Sequence, residues 1–468
     1  MADTDAAVTS TRRGPGLIQG LGLIDATTLV MGSMIGSGIF IVSADISRQV
    51  GSPGLLIVVW LLAALLTLIA ALSYGELAAA MPQAGGQYVY LREALGPLSG
   101  FLYGWTLFLV IQTGTIAAVA VAFAKFSGVF FPWISAANTV IAFGRFGIST
   151  QQLVAIGVLI FLSVVNSFGI RTGAAVQNVF TFAKTAALLG LVLLGFLLGS
   201  NAQALEQNFT AFWRGAGWRF EVFRTVAVAM VGALFSADAW NNVTFTAGEV
   251  KNPGRNLPLS LGLGAGIVLA LYVATNFVYL RWLPLSPGIQ QAPEDRVATA
   301  AVQLMIGRGG ERLMAFAIMV STFGCMNGLI LAGARVYYAM ARDGLFFRQV
   351  AEIHPHYHTP AVSLAVQCAW ACLLTLSGTY SDLLDYVIFA VLLFYILTIW
   401  GLFVLRRTRP EMPRPYRAIG YPWAPALYIL LAAFIEVMLL IYKPGYTWPG
   451  LIIVLLGVPV YHLWRRRA

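Results

Sequence analysis

Two stretches decide the fold: Gly32-Ser33-Met34-Ile35-Gly36-Ser37-Gly38-Ile39-Phe40 and Phe235-Ser236-Ala237-Asp238-Ala239-Trp240-Asn241-Asn242. Each interrupts a long apolar segment, roughly 19–47 and 222–248. Glycine and short polar residues hold a helix poorly and leave backbone N–H and C=O groups exposed. In hydrocarbon such a break survives only where protein buries it or where it lines a cavity.

Working outward, the whole chain reads as membrane-embedded. Of 468 residues, 59% are hydrophobic and 10% charged, and the mean hydropathy is +0.79. A soluble domain carries about 25% charged residues. These values exclude a water-soluble globule and a disordered chain. Three cysteines exclude a secreted disulfide scaffold. Crossing the hydrocarbon core takes about 20 apolar residues. Twelve segments qualify: roughly 19–47, 53–80, 97–126, 150–167, 171–198, 222–248, 258–283, 312–341, 360–378, 382–405, 423–442 and 447–464. The fold class is an all-α polytopic membrane protein.

The net charge of +10 would suggest nucleic acid in a soluble protein. Here the basic residues lie mainly between apolar runs and report topology. Twelve spans put both termini on one side. That side holds 17 Lys and Arg, with dense clusters at 406–417 and 465–467, and the other holds 10. The bias predicts cytoplasmic termini. Residues 1–17, with Arg12 and Arg13, read as a polar cytoplasmic tail without the apolar core of a signal peptide.

The two breaks occupy corresponding places if spans 1–5 and 6–10 are repeats. Paired broken helices of this kind point to a transporter's midplane binding site. Residue identity between the halves is weak, so the repeat rests on the order of hydropathy. The expected organisation is a ten-helix core over 18–405, with repeats at about 18–200 and 220–405, followed by two further spans and the C-terminus over 406–468.

Helix polarity then suggests a ligand. Span 1 runs outward, so its second half begins near Ser37-Gly38, where free N–H groups suit a carboxylate. Span 6 runs inward, and its first half ends near Phe235-Ser236, where free carbonyls suit an ammonium group. Carbonyls near Met34 can join them. Together the sites describe an α-amino acid zwitterion. The plainer alternative is packing, because Gly32-x-x-x-Gly36 also fits close helix contact and either break alone fits a kink.

The sequence resembles the L-type amino acid transporter group of the amino acid–polyamine–organocation superfamily. The matching stretches include Gly36-Ser37-Gly38-Ile39-Phe40, Trp240-Asn241, Glu249-Val250-Lys251-Asn252-Pro253, Gly324-Cys325-Met326-Asn327-Gly328, and Arg409-Pro410-Glu411 with Arg414-Pro415. The resemblance covers nearly the whole chain from about residue 18. It implies a LeuT-like fold, an inverted repeat of five plus five helices and then two more. It implies that Ser37 and Gly38 take the carboxylate, with Gly36 beside them in the substrate site, and that the carbonyls of Met34, Phe235, Ser236 and Asp238 take the amine. Phe235 would gate the site from outside, and Asn241 would line the side-chain pocket. Lys184 would stand where sodium-coupled relatives bind a cation. The chain departs from the group at Ala237, where relatives carry a larger aromatic, and at Asp238, so side-chain selectivity stays open. The loop over 127–149 lacks the cysteine that animal relatives use to bond a heavy chain, which implies a stand-alone bacterial-type transporter.

Other polar residues have competing readings. A buried Lys184 marks function by default in a membrane. It could hold the span 1 break as a fixed charge or carry a proton, and the plain alternative is a lysine that snorkels to the interface. Asp238 could cap the second half of span 6, or it could balance an ammonium group. Glu76, Arg335 and Glu249 near the inner span ends could form gate ion pairs or be ordinary interfacial charges. Glu436 on span 11 has no evident role, and Asp382 and Asp385 fit a helix start. His354-Pro355-His356-Tyr357-His358 lacks a supporting cysteine or carboxylate cluster, so no metal is expected. Cys325, Cys368 and Cys372 read as small core residues. Gly36-x-Gly38 lacks the context of a nucleotide fingerprint, and no P-loop or hydrolase elbow occurs. No cofactor and no enzymatic activity are expected.

The resulting expectation is secondary active transport of amino acids across the plasma membrane, with sodium-independent exchange of neutral amino acids favoured. Rivals are a proton-coupled symporter or uniporter and a carrier that also takes cationic amino acids or polyamines. A channel would need rings of carbonyls or charges along a pore. A nutrient sensor would bind without flux.

Overall fold

A computed structural model describes residues 17–143, 146–377 and 380–465. The expected tail at 1–17, apart from Leu17, lies outside the described residues. So do the basic cluster at 465–467, apart from the Arg465 backbone, and the side chains of Asp382 and Asp385.

Among the described residues, ten helices are long and apolar enough to cross a membrane. The two other expected crossings are shorter. Span 6 is divided into Phe220–Ser236 and Asn242–Phe245, and span 9 is Ala361–Ser377. Span 1 is likewise divided, into Leu23–Met34 and a second half that begins at Gly38 and runs to Val50. The remaining crossings are span 2 (Pro53–Ala80), span 3 (Pro97–Ser127), span 4 (Thr150–Ser167), span 5 (Ile170–Leu197) and span 7 (Pro253–Trp282). They continue with span 8 (Arg308–Arg342), span 10 (Tyr380–Thr408), span 11 (Trp423–Tyr442) and span 12 (Pro444–Arg465). This is the LeuT-type polytopic fold with both expected helix breaks.

Local sequence sets the ends. Ser52 caps span 2 by accepting from the Leu55 N–H, and Pro53 occupies the first helical position, where its missing N–H costs nothing. Ser149 and Gln152 form a reciprocal capping box at span 4. Span 7 begins at Pro253 rather than 258. Two prolines compete for the first-turn position there, and the earlier one wins, leaving Pro258 inside the helix. The loop after span 3 contributes a two-stranded hairpin, Thr139–Phe143 with Phe146–Ser149, a departure from a purely helical expectation.

Burial separates the centre from the rim. The apolar window of span 1 is 78% buried, against 28% for spans 4 and 12. Span 1 packs on spans 5, 7 and 8, so both faces of its break are enclosed by protein. We call the side where span 1 starts and span 12 ends the terminal face, and the opposite side the distal face. On the terminal face the chain before span 1 joins the end of span 6. The N–H groups of Gly20 and Leu21 both donate to Glu249 O at 2.9 Å, and Lys251 N–H donates to Leu21 O at 2.8 Å. A short helix, Gln87–Leu95, lies between spans 2 and 3.

Candidate functional site

The break in span 1 leaves a run of carbonyls without helical partners, and side chains of three other spans take them. Lys184 of span 5 donates its ammonium to Gly32 O, to Ile35 O at 2.7 Å and to Ser321 O at 3.3 Å. The Cys325 thiol on span 8 donates to Ser33 O at 3.1 Å, and the Tyr272 hydroxyl on span 7 to Met34 O at 2.9 Å. The Ser321 hydroxyl is shared between Ile35 O and Gly36 O, at 3.1 Å each. Every carbonyl from Gly32 to Gly36 therefore has a partner from the protein. Lys184 is fully buried, and its three N–H groups meet three acceptors, which excludes the snorkelling alternative.

The glycines of this break serve packing as well. A Cβ on Gly32 would collide with Gln177 and Thr181 of span 5, and one on Gly36 would press on Cys325 at 3.2 Å. Close packing and an open backbone are thus two aspects of one arrangement. The breaks meet at Gly38, where a Cβ would collide with Ser236 Oγ and stand 3.0 Å from Ser236 Cα.

The break in span 6 is different. Its first half ends with Asp238 N–H donating to Phe235 O at 3.2 Å, and Ala239 turns the chain with a φ of 64°. Asp238 does not cap the second half-helix. Its carboxylate accepts from the Tyr395 hydroxyl of span 10 at 2.6 Å, and the residue at the cap position is Asn241. Asn241 donates to Gln87 Oε1 at 2.9 Å, and Gln87 donates to Thr398 Oγ1 at 3.0 Å. Beside this break lies a cavity of about 20 Å³. Its polar lining includes Asp238, Asn241, Gln87, Gln112, Tyr103 and Tyr395.

The expected site residues therefore divide. Asp238 and Asn241 line the cavity. Met34, Gly36, Ser37, Gly38, Phe235 and Ser236 lie at the meeting of the two breaks, all buried, and do not line it. Lys184 lies behind break 1. Sequence reasoning missed Gln87, Tyr395, Tyr272 and Ser321. It also took Cys325 for simple packing. Span 3 contains a π-helical turn at Leu107–Ile111, and both of these residues line the cavity. Such turns recur at functional sites.

The charged residues find definite partners. Arg335 and Glu249 form a two-point pair at 2.8 and 3.2 Å, both fully buried, tying span 8 to the terminal end of span 6. Glu76 does not join them. It pairs with Arg406 at 2.5 and 2.9 Å and with Arg414 at 3.3 Å, and it accepts from Ala418 N–H, which pins the loop between spans 10 and 11. On the distal face Arg48 pairs with Asp295 at 2.7 Å, both about two-fifths exposed. Glu436 is buried, and neither carboxylate oxygen has a partner among the described residues. His354 Nδ1 accepts from the N–H groups of His356 and Tyr357, so that histidine builds a turn.

Two broken helices meeting in mid-membrane, with a protein-borne cation behind one and a polar cavity beside the other, define a secondary carrier of the LeuT type. The chain belongs to the amino acid permease family, which it matches over residues 21–460. It is 30% identical over 461 residues to the serine/threonine exchanger SteT of Bacillus subtilis (strain 168), spanning 97% of this chain and 98% of that one. It is also 30% identical over 469 residues to the large neutral amino acids transporter small subunit 2 of Mus musculus, spanning 98% and 83%. A third similar protein is the Asc-type amino acid transporter 1 of Mus musculus, 30% identical over 462 residues, spanning 96% and 82%. The family expected from the motifs is the family found.

Proposed function

We propose that this carrier performs sodium-independent exchange of neutral L-amino acids across the cell membrane by alternating access. The α-carboxylate would meet the backbone at Gly36, Ser37 and Gly38. The α-ammonium would meet carbonyls of Met34, Phe235, Ser236 and Asp238. Phe235 would close the site from the distal side, and Asn241 would face the substrate side chain. The terminal face would be cytoplasmic. The moving core would be residues 18–405, in repeats of about 18–200 and 220–405, with the last two spans appended.

The observation that carries the reading is Lys184. Three carbonyl acceptors surround its nitrogen. A neutral amine has two N–H groups and would turn a lone pair toward a third carbonyl, so the geometry favours a permanent ammonium over a proton carrier. That fixed charge does for break 1 what a bound cation would do. A second reading is favoured by Asp238, whose carboxylate lines the cavity and accepts from the Tyr395 hydroxyl. A cationic side chain would find a countercharge there.

Radiolabelled uptake into proteoliposomes tests both. We expect uptake only into vesicles preloaded with amino acid, unchanged by sodium or by an inward proton gradient. Uptake into empty vesicles that rises with the proton gradient would overturn the fixed-charge reading. Arginine or lysine competing as well as alanine would favour the second.

A further inference from the structure

The short helix Gln87–Leu95 lies outside the membrane-crossing set, yet its first residue reaches the cavity. The turn before it explains how. Gly85 and Gly86 have φ of 109° and 46°, and Gly85 N–H donates to Phe245 O at 3.0 Å. A Cβ on Gly86 would stand 2.7 Å from the Thr244 carbonyl. The turn is pressed against the second half of span 6, and only glycine allows that approach. It delivers Gln87, 1% exposed, beneath Asn241.

The hydrogen bonds there run in one direction. The Thr398 hydroxyl gives its only proton to Phe394 O at 2.7 Å, so its oxygen can only accept from Gln87. That fixes the Gln87 amide with N–H toward Thr398 and oxygen toward Asn241. Asn241 must then turn its N–H toward Gln87, leaving Oδ1 as the end that Gln87 does not hold. Asp238 adds a carboxylate to the same cavity, and Thr115, also in the lining, has its hydroxyl proton committed to Ile111 O at 2.6 Å. The space therefore presents acceptors at Asn241 and Asp238 beside the Asn242 amide, whose Nδ2 has no partner among the described residues. It suits a group that both donates and accepts, and it has room for about one water, the size of a hydroxyl group.

We propose that Gln87 is a specificity-determining positioning residue, which orients Asn241 so that the cavity selects amino acids bearing a side-chain hydroxyl over apolar ones of equal size. This rests on the exchanger reading above. A site built to bond a hydroxyl rejects an analogue that lacks it, because its own polar groups are left unpaired.

Threonine and valine have nearly the same shape and differ in that hydroxyl, so their kcat/KM ratio in exchange is the measurement. We expect the wild type to favour threonine by about tenfold or more, and Gln87→Met to bring the ratio within about threefold through loss of threonine transport alone. Gln87→Glu keeps an acceptor for Asn241 and should keep the preference. Equal losses for both substrates in Gln87→Met would show a merely structural role and overturn the proposal. If Gln87→Met does not fold, Thr398→Val must lower the ratio in the same direction, and an unchanged ratio there overturns it. A wild type that exchanges threonine and valine equally overturns this inference alone. A wild type that exchanges no amino acid overturns the exchanger reading and this one with it.

Discussion

The two broken helices are built from different residues, glycines in break 1 and Asp238, Trp240 and two asparagines in break 6, and are finished in opposite ways. Break 1 is closed by the protein itself, with donors from Lys184, Ser321, Cys325 and Tyr272 on every carbonyl from Gly32 to Gly36. Break 6 borders a cavity and shows it a carboxylate and an amide, Asp238 and Asn241. A satisfied break is rigid, because moving it would strip hydrogen bonds where water cannot replace them. A break beside a cavity can exchange partners with a ligand. On the proposed site, span 1 would supply a rigid backbone and span 6 the discrimination among side chains.

The largest effect should come from Lys184→Met. It leaves Gly32 O without its donor in a dry environment, worth roughly 1–3 kcal/mol, and takes one of two donors from Ile35 O. We expect uptake to fall at least about 100-fold with a clear drop in thermal stability. Near-normal uptake would mean break 1 does not depend on its internal cation. Gly38→Ala comes next, because its Cβ would drive the breaks apart at Ser236. Uptake should fall about tenfold or more, and adding Ser236→Gly should restore part of it. No rescue would place the damage elsewhere than at the contact between breaks.

Asp238→Asn should spare folding and change preference. Under the second reading, competition by cationic amino acids should weaken by about tenfold relative to alanine, whereas under either reading a loss of alanine uptake of the same size would contradict the contrast between the breaks. Tyr272→Phe removes one donor from Met34 O and should cost about 1 kcal/mol in stability, read as a small shift in Tm. A large loss of transport there would make Met34 more sensitive than a closed break allows.

Much of this arrangement was legible in the sequence. The interruptions at Gly32–Gly38 and Phe235–Asn242 stand out against apolar surroundings, and the approximate span limits follow from hydropathy. Lys184 was visible because an ammonium in an apolar run has few innocent explanations. What it touches was not visible, since its acceptors are backbone atoms 149 and 152 positions away. Gln87 was hidden for another reason. It follows two glycines in a segment that reads as a loop, and its partners Asn241 and Thr398 are 154 and 311 residues distant. The Gly85-Gly86 pair was the available signal, because adjacent glycines announce a backbone conformation other residues avoid. The partner of Glu76 was illegible in principle. Several arginines end spans on the same face, and only packing chooses Arg406 and Arg414 over Arg335.

The ammonium of Lys184 has a further consequence when considered in terms of voltage. A dissociable ion that crossed with the substrate would bring about 2.3 kcal/mol per charge for each 100 mV of membrane potential. A charge bonded to the chain goes nowhere on completion of a cycle and brings nothing. With a zwitterion of zero net charge as cargo, the potential cannot drive accumulation. Concentration gradients of the exchanged amino acids alone would set direction and extent. The cell would then own a device for trading one amino acid against another, whose balance point is the same in an energised membrane and in a depolarised one.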